Sequence, residues 1–194
     1  MNEKLIQFLS KFNELNENQV QELAGLMTVV EIKKNNNLVK EGQACNLCYF
    51  VLKGCLRQYI IQDGTEKTIG IYTENQAVNY YSNQIEQQKS ESYLTCIEDS
   101  VLLIGNPEKD KELFIKFPIL ADITRKMIEA DFGKTQSTLA KFITSSPEQR
   151  YLNLINERPE LLQRVPQYFI ASYLGMTPES LSRIRKRILK TSIN

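Results

Sequence analysis

Five cations fall within eight consecutive positions near the C-terminus: Arg183, Arg185, Lys186, Arg187 and Lys190. Guanidinium and ammonium groups gathered this closely have the chemistry of a phosphate-binding surface. A second candidate chemistry is that of thiols. Cys45 and Cys48 have the two-residue separation of many metal ligands, with Cys55 and Cys96 available as further ones. Cys48 and Cys55 lie within or beside predicted strands, however, and buried structural thiols are the preferred reading. The chain has no histidine, which excludes Ser-His-Asp and Cys-His catalysis, His-ligated metal or haem, and an imidazole pH switch. No spacing gathers the carboxylates and thiols into a catalytic site, so neither an enzyme nor a bound metal is expected.

The overall charge is uninformative, 24 Lys+Arg against 23 Asp+Glu for a net of +1. Its distribution is not. Residues 147–194 hold eight Lys/Arg and four Asp/Glu, a net of +4, and residues 1–146 therefore carry −3. The basic charge is concentrated at one end of the chain.

The basic cluster needs a scaffold, and the apolar pattern around it supplies one. Gln167 to Leu174 reads as a short helix with Ile170, Ala171 and Leu174 turned inward. Gly175 follows where a residue with positive φ would end the helix and turn the chain. Thr177 is placed to cap a second helix with Pro178 at its first position. Leu181, Ile184 and Ile188, at steps of three and four, form that helix's buried stripe and leave Glu179, Ser180, Arg183 and Arg187 on other faces. Two helices, a turn of about three residues between them and an outward basic face make a helix-turn-helix, whose second helix enters the DNA major groove.

Upstream, Leu120, Ile123, Met127 and Ala130 form one helical stripe, and Ile128, Phe132, Thr135, Leu139 and Phe142 form another. Two stripes on a helix of about 28 residues, roughly 42 Å long, suggest that one face covers the strand domain and the other pairs with a second copy of the chain. Ser145-Ser146-Pro147-Glu148 supplies a cap, a proline and a first-turn acid, so a new helix and a new domain begin there.

Residues 29–104 have a different texture. Short apolar or alternating runs at Val29–Ile32, Leu38-Val39, Tyr49–Leu52, Leu56–Ile61, Thr68–Tyr72, Tyr93–Ile97 and Val101–Ile104 predict strands of a small barrel or jelly roll, with Asp63-Gly64 as a type I′ hairpin turn. Before them, Leu5, Phe8, Leu9, Phe12, Leu15, Leu23, Leu26 and Met27 predict a helix pair. No apolar run reaches the ~18 residues of a membrane span, and the opening Met1-Asn2-Glu3-Lys4 leads into no secretory core. The expected location is the cytoplasm, where the cysteines remain thiols.

The segment Ile-Ala-Ser-Tyr-Leu-Gly-Met-Thr-Pro-Glu-Ser-Leu-Ser-Arg-Ile-Arg-Lys (170–186) resembles the Crp/Fnr superfamily of bacterial transcription regulators, in particular the branch common in Bacteroidetes. Leu38-Val39-Lys40-Glu41-Gly42 and Tyr49-Phe50-Val51-Leu52-Lys53-Gly54 are similar to the early strands of that family's cyclic-nucleotide-binding β-roll. The resemblance implies an α+β fold: a sensor jelly roll with flanking helices over 1–112, a long dimerisation helix over 113–143 and an all-α helix-turn-helix domain over 144–194. It further implies a homodimer joined through 113–143, a pseudo-palindromic double-stranded operator with half-sites about 34 Å apart, and RNA polymerase as a possible partner.

Carried onto this chain, the family's base-reading Glu and Arg fall on Glu179 and Arg183. The chemistry agrees, since Arg can donate twice to guanine and Glu can accept from cytosine N4. Thr177 and Ser180 become candidates for base or phosphate contact, and Arg185, Lys186 and Arg187 for phosphate contact. Pro178 stands where a leading Arg often does, which points to a different operator. The family's ribose-binding Glu is replaced by Tyr80 and its phosphate-binding Arg by Ser90, so cyclic AMP is not expected to bind. Either an unknown small-molecule effector meets Tyr80, Tyr81, Ser90 and Ser92, or the roll is filled and free of ligand. The same resemblance leaves open a ligand-binding or protein-interaction module whose helix-turn-helix no longer reads DNA.

Overall fold

A computed structural model of the chain describes residues 3–79 and 89–191. The order of elements is α1 (Glu3–Leu9), α2 (Glu17–Leu26), β1 (Thr28–Ile32), β2 (Asn37–Val39), β3 (Cys48–Lys53), β4 (Leu56–Gln62), β5 (Thr65–Tyr72), β6 (Ala77–Asn79), β7 (Tyr93–Cys96), β8 (Ser100–Gly105), α3 (Asp110–Lys116), α4 (Ile119–Thr144), α5 (Pro147–Glu157), α6 (Leu161–Arg164), α7 (Gln167–Tyr173) and α8 (Pro178–Thr191). This is the α+β arrangement expected, with the strands confined to one domain.

The strands form two four-stranded antiparallel sheets, ordered β1-β8-β3-β6 and β2-β7-β4-β5. Their facing apolar residues, among them Val39, Val51, Leu56, Leu94 and Leu102, make the interior of a jelly roll. At the tip of the β4–β5 hairpin Asp63 and Gly64 both have positive φ, 51° and 71°, as a type I′ turn requires. Strand β6 is not among the predicted strands.

The N-terminal pair begins its second helix with a reciprocal cap, in which the Asn16 side chain accepts from the Gln19 N–H and the Gln19 side chain accepts from the Asn16 N–H. Leu5, Leu9, Val20 and Leu23 of this pair pack with Phe117, Leu120 and Ile123. The first stripe of the long helix therefore covers mainly α1 and α2, and only the edge of the strand domain. Ala130, at the end of that stripe, is exposed.

The expected helix over 113–143 is corrected at its start. Residues 113–116 belong to the separate helix α3, and α4 begins at Ile119. Pro118 explains the break: a residue before proline is pushed out of the helical region, and Phe117 sits at φ −126°, ψ 76°. Of the second stripe of α4, Ile128, Phe132, Thr135 and Leu139 are exposed, whereas Phe142 is half-buried; Ile143, outside that stripe, is exposed as well.

Helix α5 starts as expected, with the Ser146 hydroxyl accepting from the Gln149 N–H and Pro147 in the first turn. The last four helices close over Tyr151, Leu154, Leu161, Ile170, Leu181 and Ile184, and this core continues into Cys55, Ile71 and Ile97 of the roll. The C-terminal domain and the roll thus share one apolar cluster.

Candidate nucleic-acid interface

Helix α7 ends at Tyr173, and the turn beyond it passes through Gly175, whose φ is +70°. A side chain here would be strained, and its Cβ would approach Arg150 to 3.2 Å. Ala171, wholly buried, lies where α7 meets α8. Thr177 then caps α8, its hydroxyl accepting from the Ser180 N–H at 3.3 Å and donating to the Ser180 hydroxyl at 3.2 Å. Leu181 and Ile184 are buried with Ile188 beside them, so one face of α8 is committed to the domain core.

The other faces carry the candidate residues. Glu179, Arg183 and Lys186 are exposed, with Arg183 one turn beyond Glu179. The Glu179 carboxyl is held below the usual carboxylate range, first by its own backbone N–H and then by Thr177 and the charge of Arg183, so it is ionised and can only accept hydrogen bonds. The remaining cations are disposed differently. Arg185 is half-buried and lines a crevice with Tyr151, Leu162 and Gln167. Arg187 pairs with Glu148 of α5, Nη2 to Oε2 at 2.5 Å. The outward surface of α8 is therefore narrower than the run of basic residues suggests.

Within the roll, Tyr80 and Tyr81 lie outside the described residues. Ser90 donates its hydroxyl to the Ser92 carbonyl at 2.7 Å, and the buried Ser92 hydroxyl accepts from Gln58 at 3.0 Å. Tyr72 donates to the same Gln58 side chain at 2.8 Å. Its ring lies across Gly70, where a Cβ would meet it at 2.6 Å. Ser90 and Ser92 are brought together, but their hydroxyls are occupied by one another's neighbours.

A second set of functional residues is invisible to pattern reading. Arg57 on β4 is only 2% exposed; it donates to Thr68 at 2.9 Å, pairs with Glu66 and lies 3.7 Å from the Phe169 ring centre of α7. Ser172, also on α7, accepts the Thr68 N–H of the edge strand β5 at 2.9 Å. Arg158 donates to the Ile71 carbonyl, Thr73 and Gln76. Arg164 donates to Glu74, to Glu98 and to the Gly54 carbonyl. Burial raises the Glu74 carboxyl, but hydrogen bonds from Arg164 and the Gly54 N–H outweigh it and bring it to about 2. Three arginines and a serine join the helix-turn-helix domain to the roll.

None of the four cysteines forms a disulfide among the described residues. Cys55 lies in the shared apolar cluster and Cys96 inside the roll, where burial pushes their thiols up to about 12 and about 11. Cys45 and Cys48 are half-buried. Among the described residues no helix is long and apolar enough to cross a membrane.

Residues 29–115 match the family profile of the cyclic nucleotide-binding domain. The fumarate and nitrate reduction regulatory protein of Yersinia pestis is 23% identical, over 92% of this chain and 76% of its own. Over residues 29–115 the chain is similar to cyclic nucleotide-binding domains, and over most of its length to a regulatory protein. Solved structures share its fold. A CooA mutant from Carboxydothermus hydrogenoformans superposes with a TM-score of 0.69 at 14% identity, over 98% of this chain and 87% of that one. The c-di-GMP responsive global regulator CLP of Xanthomonas campestris gives 0.66 at 17% identity, over 91% and 93%. The matched region spans the roll and most of α3, and helices α4 to α8 lie beyond it.

Proposed function

We propose that the chain is a homodimeric, sequence-specific DNA-binding transcription regulator whose sensor domain does not respond to cyclic AMP. The observation that carries DNA reading is the exposed Glu179–Arg183 pair on α8, one helical turn apart beside a Thr177-capped N-terminus. An ionised Glu accepts from cytosine N4, Arg donates to guanine O6 and N7, and Lys186 contributes phosphate affinity along the same helix. The exposed apolar residues Ile128, Phe132, Leu139 and Ile143 support pairing of two copies along α4, because such residues left in water favour association.

The lack of response to cyclic AMP is supported by the roll's own contacts. Ser90 replaces the guanidinium that would hold a cyclic phosphate, and its hydroxyl is engaged with Ser92. The buried arginine Arg57 faces Phe169 of α7 instead. Gln58, Tyr72 and Ser92 satisfy one another's polar groups without a ligand.

Selection of binding sites from a random duplex library by the purified full chain tests the reading. The expected product is a two-fold symmetric site with half-sites one helical turn apart. A featureless preference would overturn it in favour of an interaction module. Calorimetry with cyclic AMP should show no heat of binding, and micromolar or tighter affinity would overturn that part.

A further inference from the structure

One guanidinium closes two helix ends. Arg150, in the second turn of α5, donates Nε to the Phe142 carbonyl at 3.0 Å and Nη1 to the Leu174 carbonyl at 3.2 Å. Phe142 lies in the last turn of α4, and Leu174 is the residue after α7. The last carbonyls of a helix have no partner within it and carry the negative end of its dipole, so a cation between two such ends is favoured by both. The Phe142 ring lies beneath the guanidinium, 3.9 Å from its central carbon. Gly175, across the turn, could not carry a side chain without pressing on the same group.

Of the other ties at this joint, Lys141 to Glu157 and Asn153 to Ser145 hold α5 to α4, and Arg187 to Glu148 holds α8 to α5. Among these Arg150 reaches both the end of α4 and the turn that launches α8. We infer that Arg150 is a positioning residue that fixes the angle of the recognition helix to the long helix, and so sets the half-site spacing that the dimer accepts. This rests on the DNA-binding, α4-paired reading proposed above. In a dimer paired along α4, any freedom at the α4–α7 joint appears as uncertainty in the separation and relative rotation of the two recognition helices. One base pair of added spacing moves a half-site by about 3.4 Å and turns it by about 34°, so a stiff joint discriminates and a loose one does not.

The test uses the full chain on duplexes carrying the selected operator with zero, one or two base pairs added or removed between half-sites. The unsubstituted protein should prefer one spacing over its neighbours by about tenfold or more. Arg150→Lys keeps the charge but cannot span both carbonyls, and should reduce that preference to about two- to threefold while base preference within each half-site stays unchanged. Phe142→Leu, which removes the ring but leaves the carbonyl, should shift it in the same direction and serves if Arg150→Lys fails to fold by circular dichroism. Unchanged spacing preference in the folded variants, or an equal loss on every duplex, overturns the inference. Indifference of the unsubstituted protein to all duplexes overturns instead the DNA-reading proposal, and this inference with it.

Discussion

Arg164 reaches from α6 to the roll and meets Glu74 with two donors, Nη1 at 2.8 Å and Nη2 at 2.9 Å. The same guanidinium binds Glu98 and the Gly54 carbonyl, and the Glu74 carboxylate accepts the Gly54 N–H at 2.8 Å. Removing the arginine leaves two carboxylates and a carbonyl facing a gap. Arg164→Ala should therefore cost on the order of 2 kcal/mol in chemical unfolding, as expected for lost hydrogen bonds to charged groups. It should also loosen the docked domain locally. Cys55 lies behind this joint and is wholly buried, whereas Cys96 is inside the roll. Alkylation at neutral pH, mapped by peptide mass, should accelerate at Cys55 by about tenfold or more in the variant and stay unchanged at Cys96. Equal protection of Cys55 in both proteins would show that Arg164 does not hold the domains together.

The same carboxylate predicts an acid response. Glu74 is depressed in the fold to about 2, below its ordinary value near 4.5. A depressed carboxylate stabilises the fold fully above its unfolded value and loses that contribution as pH falls through the folded one. Between pH 4.5 and 2 the unfolded chain takes up the proton first, so stability falls across that window. In Glu74→Gln this part of the acid dependence should be reduced, measured as the slope of urea midpoint against pH.

Gly54 couples backbone geometry to the same joint. Its φ is +114°, and a Cβ there would lie 2.7 Å from the Cα of Ser100. The obstacle is backbone and cannot swing aside. Gly54→Ala should cost about 2–3 kcal/mol or more, combining strained dihedrals with overpacking. A lower urea midpoint with unchanged slope is the expected record.

These joint residues were not legible in the sequence, and the reason is physical. Arg158 and Arg164 find partners 66 to 110 positions away, as Ser172 does with Thr68 at 104. A single arginine facing distant carboxylates has no period. Leu181, Ile184 and Ile188 do have one, as do the Thr177 cap and the Gly175 turn, and the helix-turn-helix was therefore readable. So were seven of the eight strands among the described residues, through alternation and the Asp63-Gly64 turn. The resemblance placed the start of the long helix at 113, but Pro118 interrupts the backbone there and α4 begins at Ile119. The basic cluster was readable as a cluster, but not that Arg187 would turn to Glu148 and Arg185 into a crevice.

The exposed stripe on α4 predicts an association defect. Phe132 and Leu139 are 63% and 56% exposed, one side of a helix with few packed neighbours in its own chain. Substituting both with Asp should weaken self-association at least about a hundredfold while leaving the circular dichroism of the folded chain intact. Sedimentation velocity across a concentration series measures this. An unchanged sedimentation profile would exclude α4 as the interface.

Helix α8 carries two kinds of cation. Arg183 shares the exposed face of α8 with Glu179, while Lys186 lies farther along it. Arg183→Ala should cost about 1–3 kcal/mol on the selected operator and relax preference at one base pair, with little change on unrelated DNA. Lys186→Ala should instead weaken all duplexes by similar factors and reduce the slope of log affinity against log salt by about one unit. Arg187 differs from both because Glu148 already compensates its charge, and Arg187→Ala should change the salt slope less than Lys186→Ala does. Equal salt slopes in those two variants would mean that the Glu148 pair opens on DNA. A uniform loss from Arg183→Ala would assign that residue to the phosphate backbone.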